Sequence, residues 1–233
     1  MPRKRSLAEF LYTDANDNVD IHYRELMRSQ DRTPVSTDAT KPRFTLVVGP
    51  SPFTMPRGWE FFLTAPYEGA TYISTVLHNA GFPVKIVDVR YALDPLREAY
   101  DAIKGDTDVL GVCTFEDNFP FVRELIARVK EDMPEIPIIC GGSLVTSVPH
   151  IFMQHTQTDI AVISEGEITI LELMERYHQG VWAQELKNIR GIWYRDPDGT
   201  VRATPPRGQM MDLDALPKMR LDLWPQYLSL IHI

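Results

Sequence analysis

Two apolar textures alternate along the chain: short continuous runs, and longer segments in which apolar residues recur every three or four positions. FTLVVG from Phe44 to Gly49, VKIVDV at 84–89, DVLGVCT at 108–114, IPIIC at 136–140 and DIAVIS at 159–164 are runs of the first kind. They are short and rich in β-branched residues, as expected of strands buried on both faces. Between the first two, Ala70, Ile73, Val76, Leu77 and Ala80 follow helical spacing until Gly81 stops them. A polar helical segment spans Asp94 to Lys104. The next places Val122, Leu125, Ile126 and Val129 on one face, with Asp117 or Asn118 positioned to cap it. A short helix is expected near Pro149 to Gln154, and a last one, Glu167 to His178, turns Ile170, Leu171, Met174 and Tyr177 inward. No hairpin turn joins these strands, so right-handed crossovers are expected, with helices on both faces of a parallel sheet. The predicted fold class is α/β: a doubly wound, flavodoxin-like, five-stranded parallel sheet in the order 2-1-3-4-5.

Beyond Gly180 the period changes. IRGIWYR at 189–195, DPDG at 196–199 and TVRAT at 200–204 predict an appended hairpin, with Gly199 supplying a positive φ. MDLDALPKMRLDLWPQY, acidic and broken by proline, reads as an extended linker lying on a neighbouring surface, and Trp224 and Tyr227 are expected to be exposed where that surface is lacking. At the other end, residues 1–42 are mixed and polar. They read as an extension with one short helix around Ile21 to Met27, outside the core. The expected organisation is therefore an extension over 1–42, an α/β domain over 43–180, a hairpin and linker over 181–227, and a sequencing-adapter artefact over 228–233.

Composition narrows the function classes. The 233 residues are 44% hydrophobic and 24% charged, enough for one domain with a substantial core. Formal net charge is -8 and no Lys/Arg cluster follows Arg5, so nucleic acid is not an expected partner. No apolar run approaches the roughly 20 residues of a membrane helix. MPRKRSLAEF lacks the following apolar stretch of about 7 to 15 residues that marks a secretory signal, so a cytosolic address is expected. Cys113 and Cys140 end apolar runs and read as buried thiols.

Ligands of open parallel sheets collect at the carboxyl ends of the strands. That rule selects the long loop from Gly49 to Pro66, then Thr114 to Asn118, Gly141 to Thr146, and Ser164 to Glu167. The Gly141-Gly142-Ser143 turn lets a ligand approach the backbone, because no Cβ stands in the way. Receiver-domain acids, a GxGxxG after a strand and a recognisable nucleophile arrangement are all missing from these loops. Ser51 and Thr54 match a flavodoxin phosphate loop only in part. The open alternatives are a flavin- or nucleotide-binding domain and a cofactor-free docking module.

Taken in order, APYEGATYISTVLHNAGFPVKIVDV, DTDVLGVCTF, MPEIPIICGGSLVTSVPHIFM, TDIAVISEGEITILELMERY, IRGIWYRDPDGTV and DLDALP resemble the amino-terminal portion of cobalamin-binding radical SAM proteins. The resemblance implies a Rossmann-like cobalamin domain, with a corrinoid lying across the strand ends and its nucleotide tail in the sheet–helix crevice. Thr114, Phe115, Gly141, Gly142, Ser143, Glu165 and Gly166 would line that site, and Ser51 and Pro52 would face the lower side of the ring. Cobalamin domains that ligate cobalt through the protein carry DxHxxG. Here GPSPFTMPRG holds no histidine, as in many radical SAM members, so axial ligation by protein is not expected. His150 and His155 read as the polar face of a short helix.

The resemblance implies that the complete enzyme, of methyltransferase type, would use a [4Fe-4S] cluster and S-adenosylmethionine in a radical SAM barrel. The CxxxCxxC that holds such a cluster is not found, since Cys113 and Cys140 stand 27 positions apart. The expectation is an amino-terminal fragment, not catalytic by itself. LSLIHI at 228–233 resembles one reading frame of a sequencing adapter and is set aside as a scar.

Overall fold

Each of the five apolar runs forms a parallel strand, and their order is the predicted one. A computed structural model describes residues 18–30, 36–50, 65–208 and 213–224. The strands are β1 (Phe44–Val48), β2 (Val84–Asp88), β3 (Val109–Cys113), β4 (Ile138–Gly141) and β5 (Ile160–Val162). The sheet does not stop at five. β6 (Ile192–Arg195) and β7 (Val201–Ala203) continue it to seven, in the order β2-β1-β3-β4-β5-β6-β7. β6 pairs antiparallel with β5, Ile192 opposite Val162 and Tyr194 opposite Ile160. The expected appended ribbon is thus an edge of the main sheet. Its alternation explains why: Ile192 and Tyr194 are buried on one face, while Trp193 packs into the other. Gly199 adopts φ +84° in the connecting turn, where Asp196 accepts its N–H.

The helices divide between the two faces. α1 (Asn18–Gln30), α2 (Glu68–Asn79), α7 (Glu167–His178) and the short α8 (Trp182–Glu185) cover one. The other carries α3 (Pro95–Ile103), α4 (Phe119–Asp132), α5 (Ser143–Ser147) and α6 (Pro149–His155). Strand side chains alternate between two cores: Phe44, Leu46 and Val48 face the first, Val47 the second. Local chemistry starts α3, where Asp94 accepts the N–H of Arg97 and Pro95 follows. Asn118 stands at the start of α4 but does not cap it. Its carboxamide accepts from Phe115 N–H and donates to the Cys113 carbonyl, bracing the loop after β3 instead.

Two terminal segments read as peripheral are built into the core. α1 buries Met27 and Tyr23, whose hydroxyl donates to Glu175 on α7 at 2.8 Å. Trp224, expected to be exposed, is 1% exposed. Tyr227 lies outside the described residues. Among the described residues no helix is long and apolar enough to cross a membrane.

The segment after the hairpin is fixed by a buried ion pair. Arg207 donates to Glu172 of α7 and to Thr169 Oγ1, with both charged side chains 5% exposed. Removing one member of such a pair strands the other charge away from water. Arg207→Leu is therefore expected to lower unfolding stability by about 3 kcal/mol in urea titration. The double change Arg207→Leu/Glu172→Leu is expected to recover a good part of that loss.

Candidate functional site

The site lies over two glycines of the sheet. On the α2/α7 face, β3 presents Val109, Gly111 and Cys113, and β4 presents Ile139 and Gly141. The Phe44 ring fills the place a Gly111 side chain would take, 2.4 Å from where its Cβ would stand, whereas a Cβ on Gly141 would meet nothing within 4 Å. A cavity of about 980 Å³ lies over these strands, at the upper end of the range for cofactor sites. Phe44, Leu46, Ile139 and Val162 line it from the sheet, Ala70 and Ile73 from α2, and Ile170 from α7. At the strand ends its character changes to Tyr67, Phe115, Ser164 and the carboxylates of Glu68, Glu116, Asp117, Glu165 and Glu167. No lysine, arginine or histidine lines it among the described residues.

The glycines of the turn after β4 do different jobs. A Cβ on Gly141 would meet nothing within 4 Å, so this position is open toward the cavity. A Cβ on Gly142 would stand 2.2 Å from the Thr114 carbonyl oxygen, and its φ is +135°. Gly142 thus makes room for the backbone of Thr114 while lining the cavity, and Gly141 leaves its own side-chain space open.

The remaining candidates are placed as follows. Phe115, Gly141, Gly142, Glu165 and Gly166 line the cavity together. Thr114 is fully buried beside it, its hydroxyl donating to the Gly141 carbonyl at 3.1 Å. Ser143 begins α5 and donates to Glu116 at 2.8 Å, orienting one carboxylate of the mouth. Ser51 and Pro52 lie outside the described residues. His150 sits on α6 near the Trp193 ring, away from the cavity.

Sequence reasoning missed three features. Tyr67, just before α2, meets Phe115 edge-on with ring centroids 5.2 Å apart. Ser164 takes φ +62°, a left-handed conformation uncommon outside glycine, and its N–H donates to Thr146 Oγ1. Arg90, after β2, supports Tyr67 from behind. Apolar pattern announces none of these. Burial pushes the Cys113 thiol up to about 12, so it stays protonated in the cavity wall. Burial, and to a lesser degree the neighbouring Glu165, raise the Glu167 carboxyl above the usual range. Among the described residues no three His, Cys, Asp or Glu side chains converge as a metal site.

The two glycines can be separated by stability. Gly142→Ala is expected to lose about 3 kcal/mol in urea unfolding, from the overlap with Thr114 and the positive φ. Gly141→Ala is expected to fall within about 1 kcal/mol of the parent chain.

Comparison with known proteins points the same way. Residues 63–174 match the family described as B12 binding domain. An uncharacterized methyltransferase of Pyrococcus horikoshii is 29% identical over 165 residues, 70% of this chain and 35% of that protein. The anaerobic magnesium-protoporphyrin IX monomethyl ester cyclase of Rubrivivax gelatinosus is 28% identical over 137 residues, 58% of this chain and 24% of the cyclase. The chain thus spans about a third or less of the length of these curated relatives. Among solved structures, the cobalamin-dependent S-adenosylmethionine radical enzyme OxsB, with aqua-cobalamin and S-adenosylmethionine bound, superposes with a TM-score of 0.63. It is 16% identical, and the match covers 81% of this chain and 25% of OxsB. The radical S-adenosylmethionine methyltransferase TsrM of Kitasatospora setae, with cobalamin and a [4Fe-4S] cluster bound, gives 0.56 at 20% identity, covering 77% of this chain and 31% of TsrM. Residues 63–174 are thus similar to a B12 binding domain, and the chain shares its fold with part of OxsB and of TsrM.

Proposed function

We propose that this chain holds a corrinoid across the carboxyl ends of β1, β3, β4 and β5, as the cobalamin-binding part of a radical SAM enzyme of methyltransferase type. The observation that carries the reading is Gly141, open toward an apolar cavity at the strand ends, within residues that match the B12 binding domain. Phe115, Gly141, Gly142, Glu165 and Gly166 would contact the cofactor, with Thr114 and Ser143 fixing the turn and the Glu116 carboxylate around it. Ser51 and Pro52, directly after β1, join the proposal on sequence grounds.

The chemistry of the donor set fits the group. A corrinoid has a large apolar body and a periphery of amides, whose N–H groups suit carboxylate and carbonyl acceptors. Five carboxylates at the mouth, without a lining cation among the described residues, oppose a phosphate-rich ligand, which disfavours the flavin and dinucleotide alternatives. Cobalt ligation by a protein histidine is not part of the proposal, since neither the sequence after β1 nor the cavity wall, among the described residues, offers one. When bound, the corrinoid supplies a carbon–cobalt centre for methyl transfer. The residues of this chain bind it, orient it and exclude water from its lower face. The iron–sulfur cluster and S-adenosylmethionine would belong to a barrel domain that partners this one.

The test is retention of hydroxocobalamin by the purified chain, followed by visible absorbance after filtration. Stoichiometric retention is expected, with Gly141→Val at least about tenfold weaker because its side chain projects into the cavity. A folded parent chain that retains no corrinoid would overturn the reading and favour a docking module.

A further inference from the structure

The last described segment is seated on the outside of the site's own wall. Trp224 donates its indole N–H to Thr71 Oγ1 at 3.0 Å, and the Arg220 backbone N–H donates to Thr75 Oγ1 at 2.9 Å. Both threonines belong to α2, the helix that gives Ala70 and Ile73 to the cavity. Thr71 in turn donates its N–H and its hydroxyl to the Tyr67 carbonyl, at 2.8 and 2.7 Å. Tyr67 then meets Phe115 at the mouth.

Arg90 joins the same two ends by a second route. Its guanidinium lies 4.5 Å from the centroid of the Tyr67 ring and 5.5 Å from that of Trp224. Nε and Nη2 donate to the two carboxylate oxygens of Asp88, at 2.8 and 2.7 Å, and Nη1 donates to the Ala65 carbonyl at 3.0 Å. The Arg90 and Asp88 side chains are 5% and 1% exposed. Only a planar, forked cation can grip a carboxylate with two nitrogens while contacting aromatic rings, and lysine cannot reproduce that.

We propose that seating of residues 220–224 sets the aperture of the cavity, and that Arg90 is the positioning residue transmitting that seat to the Tyr67–Phe115 pair. The segment and the ligand site are then coupled, each tightening the other by the same factor. The aperture control stands on the geometry alone; its consequence for corrinoid binding rests on the function proposed above.

Cys113 supplies the readout, because its thiol lines the cavity while Cys140 is fully buried on the opposite face. The full chain is treated with 4,4′-dithiodipyridine and the two cysteines are followed separately by peptide mass spectrometry. Arg90→Lys and Thr71→Val are each expected to speed modification of Cys113 about tenfold, with Cys140 unchanged, as the loss of one well-placed buried interaction implies. Unchanged rates at Cys113, or equal acceleration at both cysteines through general loosening, would overturn the proposal. Should Arg90→Lys fail to fold, the near-isosteric Thr71→Val decides alone.

Hydroxocobalamin retention separates the two readings. Variants that open Cys113 are expected to retain corrinoid about tenfold less tightly than the parent chain. A parent chain that retains none, while Cys113 still responds, removes the corrinoid reading and leaves the coupling. Full retention with an unresponsive Cys113 removes the coupling alone.

Discussion

A parallel sheet must be covered on both faces, because its strands bury apolar side chains to either side. In this chain the covering of the α2/α7 face is incomplete, and a cavity lies there between the strands and the two helices. Everything distinctive about the molecule follows from that deficit. The cavity opens at the strand ends beside Gly141, which ends β4, and reaches Phe44 of β1. Phe44 supplies the floor: a Cβ on Gly111 would stand 2.4 Å from its ring.

Helices that border a cavity lack support from beneath, and here both are held from behind by chain that is remote in sequence. α7 is tied by Tyr23 of α1 to Glu175, and by Arg207 to Glu172. α2 is tied by Trp224 and Arg220 to Thr71 and Thr75. The small hydroxyl residues Thr71, Ser74 and Thr75 make the second contact possible, since larger side chains would keep the linker off the helix. The two segments that sequence reading sets at the periphery are therefore the braces of the site.

The division between what could and could not be read in advance has a physical basis. Strands buried on both faces leave continuous apolar runs, so β1 to β5 and their order were legible. The hairpin was legible as a hairpin, but its docking on β5 depends on which sheet edge is free, and local pattern does not carry that. Tyr23, Met27 and Trp224 are isolated apolar residues in polar surroundings, and their burial depends on partners about 150 positions away. The rule for strand ends selected loops that border the cavity, with Phe115, Gly141 and Glu165 among its lining residues. It could not distinguish Gly141 from Gly142, because the motif GG records two glycines and not which one faces a carbonyl.

Bracing from outside also has an energetic consequence. Apolar walls that side chains do not fill forgo dispersion contacts and hydrophobic burial, so a cavity of this kind subtracts from stability. A fold that keeps one must recover the difference elsewhere, and buried ion pairs such as Glu172–Arg207 and Asp88–Arg90 contribute little net energy by themselves. What they add is position: each holds a wall element in one place at near-neutral net cost. A ligand that fills the cavity supplies the missing contacts and stabilises the fold by mass action, about 2.7 kcal/mol at a hundredfold excess over its Kd.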